Sequence, residues 1–385
     1  MIKNSYKVLF HLSLLFIFLS INQINENEEI YSWKIKQQIN RIEIFYKLCN
    51  NGILLNKKTF VKSENPKISI ITPIYNGSNF ILRLLRSIQN QFFNDIEIIF
   101  IDDFSFDDTI KVVQKLQKED ERIILIKNKV NKGTLITRNL GVLMSKGEYL
   151  TFPDVDDIFT KNILKICYKL SKRYNYEMIR FNVYEGERGN CLLKNVKLLK
   201  NQTVYQPELS TYIFYGLGYL KLSDFNVANK FIKRDAFIRT LDNIEKFYLS
   251  QKMIIYEDGL INFALHRNIN SFFLIKKIGY YYVFNKKKIS FHKNRRINKL
   301  KYFFLYLKFV FENSKNNKYE KNMAFFLINR YKKNFKFINL INKDFKFYKN
   351  VIDMLINCEF IFKNYTFELK KFERIIKQKQ LIKEI

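Results

Sequence analysis

The sequence predicts an α/β protein, a mainly parallel, Rossmann-like sheet flanked by helices and followed by a helical C-terminal region. Three observations carry this expectation. Residues 68–181 alternate short apolar runs with amphipathic stretches of helical spacing, the pattern of βαβ units. Asp154-Val155-Asp156-Asp157 directly follows an apolar run, so carboxylates gather where a strand ends. From about Lys293 to Ile385 there is neither proline nor glycine, and Phe303, Tyr306, Leu307 and Val310 recur at helical spacing among Lys and Asn.

Along the chain, Lys3 and Lys7 precede the apolar run Val8–Ile21, the plan of a signal peptide or a type II signal-anchor over residues 1–21. No small-x-small cleavage site is obvious, and the flanks are basic before and acidic after. That asymmetry keeps an N-terminus in the cytosol. The expectation is a single-pass type II membrane protein of the secretory pathway, in the Golgi or ER and membrane-bound through this segment. A secreted or lumenal product after cleavage is the alternative. Residues 22–66 form a stem, with a helix over 30–51 marked by Ile35, Ile39, Ile42, Phe45 and Cys49 and ended at Gly52.

The main domain spans 67–290, with a first half over 67–160 and a second over 161–290. Ile68–Ile74 reads as a buried strand. Ile81, Leu84, Leu85 and Ile88 mark an amphipathic helix, and Ile96–Ile101 a second strand. A helix through Val112, Val113 and Leu116 leads to a third strand at Ile123–Ile126. A helix over 134–145 then precedes the strand from Tyr149 to Phe152. The next helix is expected from about Phe159, with Cys167 on its apolar face. Residues 182–225 read as irregular loops facing an acceptor, and residues 291–385 as helical.

Composition limits the function. A hydrophobic content of 47% excludes a disordered chain. The excess of 67 Lys and Arg over 36 Asp and Glu leaves a net charge of +31. These residues are scattered rather than gathered into a stripe, and Lys, Asn, Ile and Phe share AT-rich codons, so no nucleic-acid partner is expected. The 4 cysteines have no C-x-x-C spacing and form no metal set.

The chemistry gathers at strand ends. In a doubly wound sheet, ligands bind beyond the carboxyl ends of the strands. The first strand ends in Thr72-Pro73-Ile74-Tyr75-Asn76-Gly77, where Tyr75 offers an aromatic face to a base. The second ends in Asp102-Asp103-Phe104-Ser105, whose carboxylates can accept from a base N–H or ribose hydroxyls. Asn131-Lys132-Gly133 opens a helix bearing Arg138, and a helix N-terminus plus Arg suits a pyrophosphate. Asp154 and Asp156 alternate onto one side of the chain, where a divalent cation would relieve their repulsion. Their bland alternative is an N-cap for the following helix. Together these groups describe a nucleotide diphosphate site with a divalent cation.

These blocks resemble the catalytic domain of glycosyltransferase family 2, inverting enzymes of GT-A fold. The resemblance rests on Ile70-Ile71-Thr72-Pro73-Ile74-Tyr75-Asn76, Asp102-Asp103-Phe104-Ser105-Phe106-Asp107-Asp108-Thr109, Asn131-x-Gly133 through Arg138-Asn139-x-Gly141, and Gly147-Glu148-Tyr149 into Asp154-Val155-Asp156-Asp157. It implies a GT-A-type sheet and a metal-dependent hexosyl- or N-acetylhexosaminyl-transferase. The donor would be a nucleotide diphosphate sugar, a UDP-sugar first, and the acceptor a hydroxyl on a glycan, glycolipid or glycoprotein. By the same resemblance Asp103 holds the uracil ring and Pro73, Tyr75, Asn76 and Asp102 line the nucleotide pocket. Asp154 contacts ribose or metal, and Asp156 is the main ligand of Mn²⁺ or Mg²⁺. Tyr256-Glu257-Asp258-Gly259 resembles the family's Glu-Asp motif, making Asp258 the general base and Glu257 its orienting partner or an acceptor contact. Asn229-Lys230-Phe231-Ile232 resembles a segment found upstream of that motif. The chain departs from the family at Phe104, where Gly is usual, at Phe106, where Thr or Ser is usual, and at Thr137, where Ala is usual. A second reading from another class stays open, a non-catalytic nucleotide-sugar or glycan-binding protein with the same donor blocks but no turnover.

Overall fold

The computed structural model describes residues 60–187, 202–205, 226–284 apart from 245, and part of 302–313. The leader over 1–21, the helix over 30–51 and most of 291–385 lie outside these residues. Among the described residues no helix is long and apolar enough to cross a membrane.

The first half follows the predicted alternation element by element. It runs β1 (Ile68–Ile74), α1 (Ile81–Gln89), β2 (Ile96–Asp102), α2 (Thr109–Gln117), β3 (Ile123–Lys127), α3 (Thr134–Met144) and β4 (Tyr149–Thr151). These strands pair in the order β3-β2-β1-β4, all parallel, with Ile70 opposite both Ile98 and Thr151. The carboxyl ends of β1, β2 and β4 therefore share one edge.

The second half contains β5 (Ile158–Phe159), α4 (Ile163–Tyr174), β6 (Met178–Glu187), β7 (Gln202–Tyr205), β8 (Lys230–Lys233), α5 (Arg234–Asp242), α6 (Lys246–Leu249), α7 (Glu257–Asn268) and β9 (Ser271–Phe284). The sheet continues from β4 through β8, β6 and β9 to β5, with β7 on β9. Here the expectation of a mainly parallel sheet needs correction. β8 runs antiparallel to β4 and β6, and β5 and β7 run antiparallel to β9; β6 with β9 is the parallel pair of this half. Antiparallel neighbours need no helical crossover, so the βαβ rhythm that marks the first half carries no information here. Two further corrections follow from the long β9. Residues 182–187, read as irregular, extend β6 along β9 past a register shift at Asn182, and 202–205 add a further strand. The helix expected from about Phe159 begins at Ile163, because Ile158 and Phe159 pair with Tyr281 and Tyr280 first.

Alternation in β1 and β2 splits the core between the two faces of the sheet. Ile71, Ile99 and Ile101 pack with Leu135 and Val142 of α3, while Ile70, Ile74, Ile98 and Phe100 pack with Leu84, Leu85 and Ile88 of α1. Each fully buried aliphatic side chain contributes about 1.5–3 kcal/mol of transfer free energy. Gly141 lets α3 lie close to the sheet, since a Cβ there would sit 2.4 Å from Ile71 Cγ2. The described residues of 302–313 are helical. Phe303, Tyr306, Phe309 and Val310 join the core on the α3 side, with the Phe309 ring 4.7 Å from Tyr248 and 5.8 Å from Phe263.

Candidate active site

The ends of β1 and β2 are stitched together by side chains. Asn76, left-handed at φ 52°, donates its N–H to Ser105 Oγ at 2.9 Å and accepts the Phe106 N–H on Oδ1 at 2.9 Å. The Gly77 N–H reaches Thr109 Oγ1 at 2.9 Å and the Ser78 N–H reaches Asp107 Oδ2 at 3.2 Å. Burial would raise Asp107, but hydrogen bonds from Thr109 and Ser78 outweigh it and hold the carboxyl below its usual range. Asn76 thus shapes the loop on which Tyr75 stands exposed, with Pro73 half-buried two residues earlier.

Asp102 is buried. Its Oδ2 accepts the Ser105 N–H at 3.2 Å, while Oδ1 has no hydrogen-bond partner among the described residues. Asp103 is the organiser of the next loop. Its carboxylate accepts Lys132 N–H at 2.8 Å, Gly133 N–H at 2.8 Å and Asn128 Nδ2 at 2.9 Å. That uses three of about four lone-pair sites of an ionised carboxylate. Gly133 sits at φ +84° and within 3.0 Å, by its would-be Cβ, of the Met253 carbonyl, so the loop needs glycine on both counts. The Thr137 departure has a partner as well: Asn128 Nδ2 also donates to Thr137 Oγ1 at 3.0 Å, which Ala could not accept.

Phe104 explains why glycine is the natural residue at its position. Its φ is +67°, a conformation that costs a non-glycine residue about 1–2 kcal/mol. The side chain is 41% exposed and meets Phe106 edge to face at 5.1 Å; Phe106 in turn lies 6.5 Å from the Tyr75 ring. Three exposed aromatic rings therefore stand in sequence beside the mouth of the site.

Asp154 and Asp156 lie in the turn between β4 and β5, closed by the Asp157 N–H on the Asp154 carbonyl at 3.1 Å. They do not cap a helix, because β5 intervenes before α4. The turn is anchored from three sides. The Asp154 N–H donates to Tyr280 Oη at 2.9 Å, the Val283 N–H donates to Asp157 Oδ1 at 2.9 Å, and the Arg83 guanidinium donates to the Asp156 carbonyl. Burial holds the Tyr280 phenol well above its usual range, and the nearby Asp157, Asp154 and Asp156 carboxylates add to this.

Glu257 and Asp258 occupy the first turn of α7. The N-cap residue Tyr256 makes no side-chain cap and enters the helix at φ 68°. Both carboxylates face Arg138 from α3, whose Nη1 lies 2.8 Å from Asp258 Oδ1 and 3.7 Å from Glu257 Oε1. The sequence associated Arg138 with a pyrophosphate; in the structure its guanidinium is buried against this carboxylate pair. Burial alone would lower the Arg138 pKa, but Asp258, Glu257 and Asp154 raise it. Burial, reinforced by Asp258, pushes Glu257 up to about 8 against the pull of Arg138. The second Asp258 oxygen, Oδ2, accepts the Val227 N–H at 3.4 Å. The upstream Asn229-Lys230 segment acquires a role here: buried Lys230 donates to the Asn226 carbonyl and bonds Asn229 Oδ1 at 3.3 Å, holding the turn that presents Val227.

The structure thus gathers Asp154, Glu257 and Asp258 around Arg138, and Asn76, Asp102 and Asp103 at the neighbouring strand ends. Asn128, Arg83, Tyr280 and the Val227 amide are supports the sequence did not reveal. Each acts through a contact across the fold that no local pattern announces. Among the described residues no group of three or more His, Cys, Asp or Glu is arranged to enclose a metal ion. A cation carried on a diphosphate needs only one or two carboxylates, with phosphate oxygens and water completing its shell. The half-buried Asp154 and Asp156 would be the carboxylates of this turn to hold one.

Comparison with known proteins is consistent with this geometry. Residues 69–241 match the family model for Glycosyl transferase family 2. An uncharacterised glycosyltransferase of Mycoplasma genitalium is 29% identical over 240 residues, covering 60% of this chain and 74% of that protein. The GalNAc(5)-diNAcBac-PP-undecaprenol beta-1,3-glucosyltransferase of Campylobacter jejuni is 38% identical over 131 residues, but the match spans 34% of this chain and 39% of that one. The Staphylococcus aureus protein TarS, residues 1–349, solved in complex with UDP-GlcNAc, superposes with a TM-score of 0.57 at 18% identity, over 75% of this chain and 80% of TarS. That likeness shows the mixed α/β fold of the GT-A type.

Proposed function

The chain carries a glycosyltransferase family 2 domain over residues 69–241, and from that premise we propose an inverting transfer of sugar from a UDP-sugar to an acceptor hydroxyl on a glycan or glycoconjugate. The observation that carries the proposal is the placement of Asp258. Its side chain is 28% exposed, against 10% for Glu257 and 2% for Arg138. Of the three, Asp258 is the group best able to meet an acceptor from solvent, beside the turn that bears Asp154. Binding of UDP-GlcNAc by TarS and the glucosyltransferase name of the Campylobacter relative support the donor class.

In this reading Tyr75 and Pro73 face the base, Asp103 takes its N–H with the remaining lone pair, and Asp102 and Asn76 hold the pocket's walls. Asp258 takes the acceptor proton as the acceptor oxygen forms its bond to the anomeric carbon. The bond from that carbon to the diphosphate oxygen breaks on the opposite face, which inverts the centre. Glu257 orients Asp258. Asp156, with Asp154 beside it, would hold Mn²⁺ or Mg²⁺. When bound, that ion neutralises charge developing on the departing diphosphate.

A screen of UDP-sugars by calorimetry and by UDP release, with and without Mn²⁺, tests the proposal. One UDP-sugar is expected to bind in a manganese-dependent manner and to release UDP. Binding without release under any acceptor would favour the non-catalytic binding protein instead.

The aromatic mouth makes a separate prediction. Phe104→Gly removes a left-handed non-glycine residue but adds freedom to the unfolded chain, effects of about 1–2 and 0.5–1 kcal/mol in opposite directions. Stability is expected to hold or to rise by up to about 1.5 kcal/mol, while UDP binds severalfold more weakly. Thermal unfolding and UDP calorimetry on the same sample check both halves.

A further inference from the structure

We infer that Arg138 is a positioning residue for the base, holding Asp258 in place for the acceptor, and is not a ligand of the donor diphosphate. The inference rests on the transferase reading above and concerns how its site is assembled.

Four observations converge. First, the side chain of Arg138 is 2% exposed and reaches from α3 to the first turn of α7, so it lies beneath the cleft rather than in it. Second, one nitrogen, Nη1, serves both carboxylates, at 2.8 Å to Asp258 and 3.7 Å to Glu257. A guanidinium already committed to half-buried Asp258 and buried Glu257 would have to abandon them to meet a diphosphate. Leaving them unpaired in a low-dielectric site carries a large desolvation penalty. Third, Asp258 is gripped on both oxygens, Oδ1 by Arg138 and Oδ2 by the Val227 N–H at 3.4 Å. Two grips from different elements fix the plane of the carboxylate, and its remaining lone pairs serve the exposed side. Fourth, the helical turn that carries Arg138 is tied to the base pocket. Asn128 bonds both the Asp103 carboxylate, at 2.9 Å, and the hydroxyl of Thr137, the residue before Arg138, at 3.0 Å. Donor-side and acceptor-side carboxylates are thus positioned by one short stretch of α3 and the loop before it.

The test uses the full chain and UDP as the binding probe, with turnover read as UDP release from the donor the wild type accepts. Arg138→Met is expected to lower kcat at least 100-fold while the Kd for UDP in Mn²⁺ stays within about twofold. Arg138→Lys, which keeps the charge but loses the planar fork, is expected to recover part of the loss in kcat, again with UDP affinity unchanged. A merely structural role would lower both together or neither. If Arg138→Met does not fold, Arg138→Lys alone decides: a kcat reduced about tenfold with unchanged UDP affinity supports the inference. Weakening of UDP binding by tenfold or more in either variant would overturn it and return Arg138 to the diphosphate, as would unchanged turnover. Failure of the underlying transferase reading looks different: wild-type chain that binds no UDP, or Asp258→Asn that keeps full turnover, removes the base itself and the inference with it.

Discussion

Asp258→Asn is expected to reduce turnover by about 10²–10⁴-fold, the range associated with loss of a general base, and to leave UDP affinity unchanged. The substitution keeps the shape and the Oδ1 acceptor for Arg138 but cannot take the acceptor proton. It also removes one of the two carboxylates that Arg138 faces, so Glu257 is expected to move down from about 8, since Asp258 is the charge that reinforces its burial. Steady-state UDP release and calorimetry, run on the same preparation, separate the two effects. Loss of rate with retained binding would identify Asp258 as the base. Equal loss of both would instead make it a structural anchor for α3 and α7, and retained rate would move the base to another group.

Asp103→Ala is expected to be the most damaging change on the donor side. It strands the N–H groups of Lys132 and Gly133 and the Asn128 amide, all of which now end on one buried carboxylate. Charge-assisted bonds of this kind are worth about 1.5–3 kcal/mol each and are not additive, so the loss in stability is expected at about 3–5 kcal/mol. UDP binding should weaken at least tenfold, because the loop at 128–133 and the base contact fail together. Urea unfolding reads the first loss and UDP titration the second. A variant that binds UDP normally would show that Asp103 organises the loop but does not touch the base.

The contrast between Asp103 and Arg138 shows how far a single chain can be read. The strand-end position of Asp103 was legible because the apolar run Ile98–Ile101 within β2 ends two residues before it. Its three protein partners were not, since they come from a loop 25 to 30 residues away. Arg138 was legible as a cation on a helix near a phosphate-binding loop. Its actual partners are 119 and 120 residues further on, and no local pattern announces them. Phe104 was visible as a departure from the family, but the reason glycine is usual there, a φ of +67°, belongs to the backbone alone.

Hydrophobic periodicity by itself determined the parallel half of the sheet, β1 to β4 with its three helices, and the placement of the acidic groups at strand ends. Those are local consequences of alternation and helical spacing, and βαβ units admit few arrangements. The tertiary structure alone decided the mixed order around β8, β6, β9 and β5 and the extension of β6 through 182–187. It also decided the meeting of α3 with α7 that places Arg138 between Glu257 and Asp258. These depend on pairing and burial between segments distant in sequence, where the free energy lies in contacts that the order of residues does not display.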